Sequence, residues 1–592
     1  MCAALLGVFA VSSATVGAQT GPVSEPDRHN RLAHLPALQR KLGRNLMPRL
    51  SSGGANMFHI AKLLSDSSML RAPLTAEGRA TLQKELAKTH PRGQAVPSNE
   101  EEQTPEGHSR APALVNDASL DYEFTRFSGF TQSETSSAWC GDSVVVGFND
   151  SGAFVRSTVE NVGGTSFTNV GVSHDRGRSF VGLPFLNPSS DPAVFLGGDP
   201  VLACTDAHHF LYASLFSQVD VDSEGNVTQA LSGISVSRSQ NGGTVWENPI
   251  PVVTKDANFH FLDKEWMAID PRNSRNLYVT YTDFGAFGSD LECNDSTIPG
   301  IPGGPDVRVE IVSSKDGGNS WSQPVLLDRR CNLGLEQNLS GTQVAVGPKG
   351  EVYVAYAAID QKSVEERIRR SDDGGDTFAP AVVVAQATTA SSLGDFNLQG
   401  NFRTNAFPML AVDSFGNAPR GTLYMTWTDA TRNQIPDLYA SFIFGDPVYS
   451  FGEVVLSISR NGGKTWSIPK SVSPAPADFA GAGRDQFMAG VAVDAAGELA
   501  VCYSDRRNDP NNFAIDHYCS ISTNGGGSFH DVRETPSSWS PSHHMDVFIN
   551  PGYMGDYDAV SSDITGSRAG FFNSFQIQTN TNPDVYGIRL KP

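Results

Sequence analysis

The chain has 592 residues, 39% of them hydrophobic, and a formal net charge of −20. That is enough apolar material for a buried core, so a wholly disordered chain is excluded, and the acidic balance argues against nucleic acid as a partner. No apolar run reaches membrane-spanning length, so no membrane span is expected.

Residues 1–18 open the chain with an apolar stretch ending in Val16-Gly17-Ala18, a small-residue cleavage pattern. They are predicted to be a signal peptide, and the protein to be secreted or periplasmic. Residues 19–92 form a basic, partly helical leader. Within them, 28–92 carry twelve Lys/Arg against three Asp/Glu, and helical spacing recurs at 56–65 and 75–88. Residues 93–120 are a Pro/Glu-rich linker.

From residue 121 to 592 the chain alternates short strands and turns. Each unit runs in one order: a first apolar strand, a turn, a second strand, a third alternating strand and a fourth. Examples are PVLAC then FLYASLF, WMAID then NLYVTYTD, and GVAVD then ELAVCYSD. Between third and fourth strands one phrase recurs six times, at 173–180, 239–246, 314–321, 371–378, 459–466 and 522–529. It reads Ser-x-Asp/Asn-x-Gly-x-Ser/Thr/Val-Trp/Phe. Four antiparallel strands per repeat describe a β-propeller blade. First strands number seven, so the expected fold is an all-β, seven-bladed propeller, with six blades as the alternative. Blade seven lacks the phrase and one outer strand, which residues 122–130 are expected to supply.

The phrase resembles the Asp-box, or BNR repeat, of the sialidase-like superfamily. Strings such as GGDP (197–200), LDKEW (262–266), YSDRRNDPNN (503–512) and MGDYD (554–558) are similar to secreted bacterial BNR-repeat proteins. The resemblance implies an Asp-box turn that staples the blade and carries no chemistry of its own. The chain departs from true sialidases in having no early Phe/Tyr-Arg-Ile-Pro motif; FRTN (402–405) is a partial counterpart.

Propeller topology gathers the residues just before each first strand on one rim. Glycoside cleavage needs one carboxyl to protonate the leaving oxygen and a second group to attack or to activate water, and sialidases pair a Tyr with a carboxylate. By position, Asp263 is the acid candidate and Tyr557 with Glu265 the nucleophile pair. Arg403, Arg484 and Arg506 are expected to clamp a substrate carboxylate. Asp485, Asp556, Lys264 and Glu134 complete the substrate-binding set. Insertions at 284–306 and 430–452 could wall a pocket. The function read from this is a secreted, sialidase-like glycoside hydrolase acting on glycan or polysaccharide. The alternatives are a non-catalytic glycan- or protein-binding propeller and, further off, a polysaccharide lyase.

No cofactor and no metal site is expected. A structural calcium at DVDSEG (220–225) is the single candidate, and Leu231 at its twelfth position makes that segment read as a loop tip. His543 and His544 read as a solvated pair. After removal of Cys2, six cysteines remain, with fifteen conceivable connectivities. The strand map pairs Cys140 with Cys204, Cys293 with Cys331, and Cys502 with Cys519.

Overall fold

The computed structural model describes residues 111–120 and most of 130–591. Residues 1–110, 121–129, 286–305, 389–394, 436–448 and 474–483, with several shorter loop segments, lie outside the described residues. The signal peptide, the leader helices, the histidine pair and most of both pocket-walling insertions fall there.

Seven antiparallel blades are present, so the seven-bladed reading holds. Blade 1 begins with Gln132–Cys140, blade 3 with His260–Ile269, blade 4 with Gln337–Val346 and blade 6 with Gln486–Val493. Blades 2, 5 and 7 have shorter innermost strands, Val201–Cys204, Met409–Val412 and Ala559–Ser562. Strand order within blades 1 to 6 follows the chain, as alternating apolar residues separated by tight turns require. The core is a ring of apolar seams between successive blades. One seam packs Val201, Ala213 and Ile234 of blade 2 against Met267, Leu277 and Val279 of blade 3.

The repeated phrase forms the turn after each third strand. In the third copy, Ser314 Oγ accepts from Gly318 N at 2.8 Å, and Asp316 Oδ1 accepts from Asn319 N and Ser320 N at 2.9 Å. The same pattern recurs with Asn in place of Asp at Asn461 and Asn524. The glycine after it takes φ near +80°, a conformation other residues resist. The terminal aromatic then packs toward the preceding blade: Phe180 lies 5.6 Å from Phe572 of blade 7, and Trp246, 5.6 Å from Tyr212 of its own blade, shares a core cluster with Val145, Val170 and Val172 of blade 1. The phrase therefore joins blades as well as closing a turn.

One expectation is corrected. The outer strand of blade 7 is Ala113–Leu114, which pairs with Gly587 and Tyr586. Of the expected segment 122–130, only Phe130 is among the described residues. Val115 N also donates to Val585 O at 2.8 Å, and Asn116 Nδ2 to Asp584 Oδ1 at 2.9 Å. The propeller thus begins before residue 121.

Helix Ser151–Glu160, which no sequence pattern announced, occupies the connection between second and third strands of blade 1. The DVDSEG segment lies at the tip of a hairpin between Phe210–Val221 and Val227–Ser239. Disulfides join Cys140 to Cys204, at the ends of neighbouring first strands, and Cys502 to Cys519, on paired strands of blade 6. Cys331 is also disulfide-bonded; Cys293 lies outside the described residues.

Candidate functional site

Four innermost strands carry the same irregularity. Two residues oppose one at 134–135, 264–265, 341–342 and 488–489, where the register slips against the second strand. The residue opposite each bulge is aromatic: Phe148, Tyr281, Tyr356 and Tyr503. The first bulged residue has positive φ, +52° at Glu134, +55° at Lys264, +67° at Gly341 and +54° at Met488. Asp199 (+54°) and Gly555 (+80°) take this conformation just ahead of the innermost strands of blades 2 and 7. A bulge of this kind re-aims the side chains of its strand. Here it brings side chains of several blades together at the ring centre. Three non-glycine residues with functional side chains, Glu134, Asp199 and Lys264, adopt a backbone shape that costs of order 1 kcal/mol each.

The result is a cleft lined by Asp199, Lys264, Glu265, Thr342, Asp556 and Tyr557 among others. It holds about 460 Å³ counted out to its open mouth, with interior room for about one water molecule. Lys264 Nζ lies 2.7 Å from Asp556 Oδ2 and 3.5 Å from Asp199 Oδ2. It also sits 4.9 Å from the Tyr557 ring centre and 5.6 Å from that of Phe407. Asp556 N donates to Glu134 Oε1 at 2.8 Å, and Asn149 Nδ2 donates to Glu134 Oε2 at 2.5 Å. Asn405 Nδ2 reaches the Asp556 carbonyl at 2.9 Å, and the Tyr557 hydroxyl donates to Pro200 O at 3.3 Å. Blades 1, 2, 3, 5 and 7 are thereby tied across the axis. The approach is close: a Cβ at Gly341 would fall 2.4 Å from Phe407 Cγ, and one at Gly555 2.6 Å from Glu134 Cγ.

Charge in this enclosure is unbalanced toward carboxyls. Burial alone would lower the Lys264 pKa, but Asp556, Asp199, Glu134 and Asp263 outweigh it and hold the ammonium charged. Burial, then the neighbouring Asp199, pushes Glu134 and Glu265 well above the usual carboxylate range. Burial and then Asp199 and Glu134 push the Tyr557 phenol up as well. Both carboxyl groups, Glu265 and Asp199, are fully buried; Glu265 has no side-chain partner, while Asp199 faces Lys264 and the Glu134 carboxyl.

Of the residues proposed from sequence, the structure brings Lys264, Glu265, Asp556 and Tyr557 together in the cleft lining, with Glu134 bonded to Asp556 N beside it. Asp263 is fully buried on the strand, paired opposite Thr282, and is not part of the cleft lining. Arg506 and Asp485 are buried together, Nη1 to Oδ2 at 3.1 Å, with Asp485 also accepting from Gly452 N of blade 5. Arg484 Nε donates to Asp509 O at 3.1 Å. Neither arginine lines the cleft, and the Arg403 side chain lies outside the described residues. Asp199, which topology places on the same rim, and the aromatics Trp266 and Phe407 also line the cleft, outside the set proposed from sequence. Asp199 carried a signal, the GGDP string before a first strand; the aromatics carried none. Among the described residues, one cluster has metal-ligand chemistry, Cys502, Cys519 and Glu534, and its two sulfurs are already joined in a disulfide.

No family model and no curated protein matches the chain. Solved structures similar to it include a protein of unknown function from Dyadobacter fermentans, at 12% identity and TM-score 0.39, covering 82% of this chain and 98% of that one. A Hadza microbial sialidase is 14% identical, TM-score 0.38, covering 71% and 72%. An α-L-arabinofuranosidase from Fusarium graminearum is 11% identical, TM-score 0.39, covering 70% and 98%. The propeller itself rests on the strand pairing above. Among the described residues no helix is long and apolar enough to cross a membrane.

Proposed function

We propose that the protein is a secreted or periplasmic glycan-acting propeller, a glycoside hydrolase whose acid is Glu265. One observation carries this reading. Glu265 lines the axial cleft with both carboxyl oxygens buried and without a side-chain partner, and burial together with Asp199 raises its pKa well above the usual carboxylate range. A carboxyl with its pKa raised by burial suits the role of proton donor to a glycosidic oxygen. Glu265 takes this role in place of Asp263, which the cleft does not expose. Its proton passes to the leaving oxygen. Asp199, 3.5 Å from Lys264, takes a proton from the water that adds to the anomeric carbon. Tyr557 serves as a wall beside Trp266, 5.8 Å away ring to ring, because its raised pKa opposes phenolate formation. Among the described residues the one cation of the lining, Lys264, is already paired with Asp556 and Asp199. That favours a neutral sugar over a sialoside, whose carboxylate needs a cation of its own. The disulfides support an oxidising compartment.

The small interior space favours a second reading, a non-catalytic propeller that binds glycan at the mouth. Sugar release from a panel of neutral and sialylated glycans separates the two. Wild type should release a neutral sugar, and Glu265→Gln should lower kcat about 10²- to 10⁴-fold with little change in Tm. No release from any substrate moves the assignment to binding, and full activity in Glu265→Gln removes the residue.

A further inference from the structure

The seam between blades 7 and 1 differs from the other seams on the face that carries the repeated phrase. Leu590 pairs with Phe571, the register position that the phrase serine holds elsewhere, as in Ser239 with Phe210 and Ser371 with Val352. The fourth strand of blade 7 is Ala113–Leu114, so no phrase follows Leu590 in that blade. Arg589 therefore stands where Arg238 and Arg370 stand in blades 2 and 4. Each of those two donates to a glycine carbonyl of the next blade's phrase, Gly318 and Gly462. The phrase facing Arg589 is different. Its fourth position is Arg176, at φ +67°, where the other five copies have Gly242, Gly317, Gly374, Gly462 and Gly525.

Arg589 thus meets cations. Burial and then the charges of Arg176, Arg178 and Arg568 lower its pKa, with Asp142 opposing. Arg568 Nη2 lies 2.7 Å from Asp142 Oδ1, and Arg176 Nε 3.3 Å from the same oxygen. Arg589 stacks 5.1 Å over the buried Trp139 ring, which fixes its guanidinium plane. The Nε atoms of Arg176, Arg568 and Arg589 are buried and donate no hydrogen bond. Two other carboxylates nearby are consumed by their own turns. Asp175 accepts from Arg178 N and Ser179 N, and Asp563 from Gly141 N and Thr565 N. Exposed Asp142 is left to serve several guanidinium groups.

Like charges so gathered repel, and an arginine in the left-handed region adds backbone cost. Both are offset if an anion sits among them, since guanidinium forks bind tetrahedral oxyanions bidentately. We infer that Arg176, Arg178, Arg568 and Arg589 form a binding site for a doubly charged tetrahedral oxyanion of the sulfate or phosphate type, free or carried on a glycan. It lies on the phrase face, opposite the rim that leads into the axial cleft, and does not depend on the cleft's chemistry.

Thermal unfolding of the full chain in sodium sulfate against sodium chloride of equal ionic strength tests it, with a sulfated tetrasaccharide titrated calorimetrically alongside. Sulfate should raise Tm beyond chloride, and the double variant Arg178→Gln/Arg568→Gln should bind roughly tenfold more weakly. Asp142→Asn removes the competing carboxylate and should bind about tenfold more tightly, a gain that misfolding cannot imitate. A sulfate effect absent from wild type, or indifferent to these substitutions, overturns the site. Arginine-dependent binding of the tetrasaccharide makes a sulfated glycan the carrier; arginine-dependent sulfate binding without it makes the free anion the ligand.

Discussion

Lys264 shows how much one residue can be asked to hold. It occupies a left-handed bulge position, is almost fully buried, and bridges blade 3 to Asp556 of blade 7 and Asp199 of blade 2. Removing the cation leaves buried carboxylates without compensation. Lys264→Met should cost about 3–5 kcal/mol in urea unfolding, and adding Asp556→Asn should recover part of that. A loss below 1 kcal/mol would mean that water already screens the cluster. At this scale the sequence was partly legible. Charged residues before each first strand could be placed on a common rim, because propeller topology alone fixes that. Which of them turn to the axis depended on the bulge, and the usual marker of positive φ, glycine, stands only at Gly341 and Gly555. Arg506 and Asp485, expected on the rim from their sequence position, pair with each other, and Asp485 also accepts from Gly452 N of blade 5.

At the scale of strands, the blade 6–7 seam buries titratable groups that the cleft does not use. Glu534 accepts from Asn573 Nδ2 at 2.7 Å, and burial, with Asp558 adding, pushes it up to about 8. Burial likewise pushes Asp558 up to about 8. His517, stacked 4.3 Å from Phe575 and donating from Nε2 to Gln576 O, is held down to about 4 by burial. The signs follow from linkage. A carboxyl whose folded pKa is raised binds its proton more tightly folded than unfolded. Its contribution is fully present below the unfolded value of 4.5 and is lost as pH rises through about 8. His517 works the other way, favouring the fold above its unfolded value of 6.5 and losing that as pH falls toward 4. Between pH 6.5 and 8 only the carboxyls of this seam act. Stability should fall there, and Glu534→Gln should remove about 1.4 kcal/mol per pH unit of that slope. An unchanged slope would show that Glu534 is ionised in the fold. None of these burials could be read in advance, since HYCSIS and its neighbours look like any other third strand.

For the whole molecule, the decisive question is how a ring of seven sheets avoids an open edge. The recurring strand order made the blade count legible, because seven first strands can be counted, six of them in units that carry the phrase with its glycine and its aromatic. The closing strand was not legible. Ala113–Leu114 is two residues long inside a Pro/Glu-rich stretch, whereas YEFTRFSGF has the apolar pattern of a strand. What gives so short a strand its grip is the residue after it. Val115 is fully buried with Trp139, Val144, Val146 and Phe148 of blade 1 and Phe572 and Val585 of blade 7. Gly171 and Gly182 leave it room, since a Cβ at either would fall about 2.4 Å from Val115 or from Asp117 N. The segment therefore wedges between first and last blades as well as pairing with one of them. Val115→Asp places an unpaired carboxylate in that wedge and should cost several kcal/mol. It should also free the outer edge of blade 7, and limited proteolysis should then cut between 116 and 130 before any other blade opens. If blade 7 stays as protected as blade 4 in that variant, closure depends on the apolar seams and the disulfide between Cys140 and Cys204, and the strand merely covers an edge that is already safe.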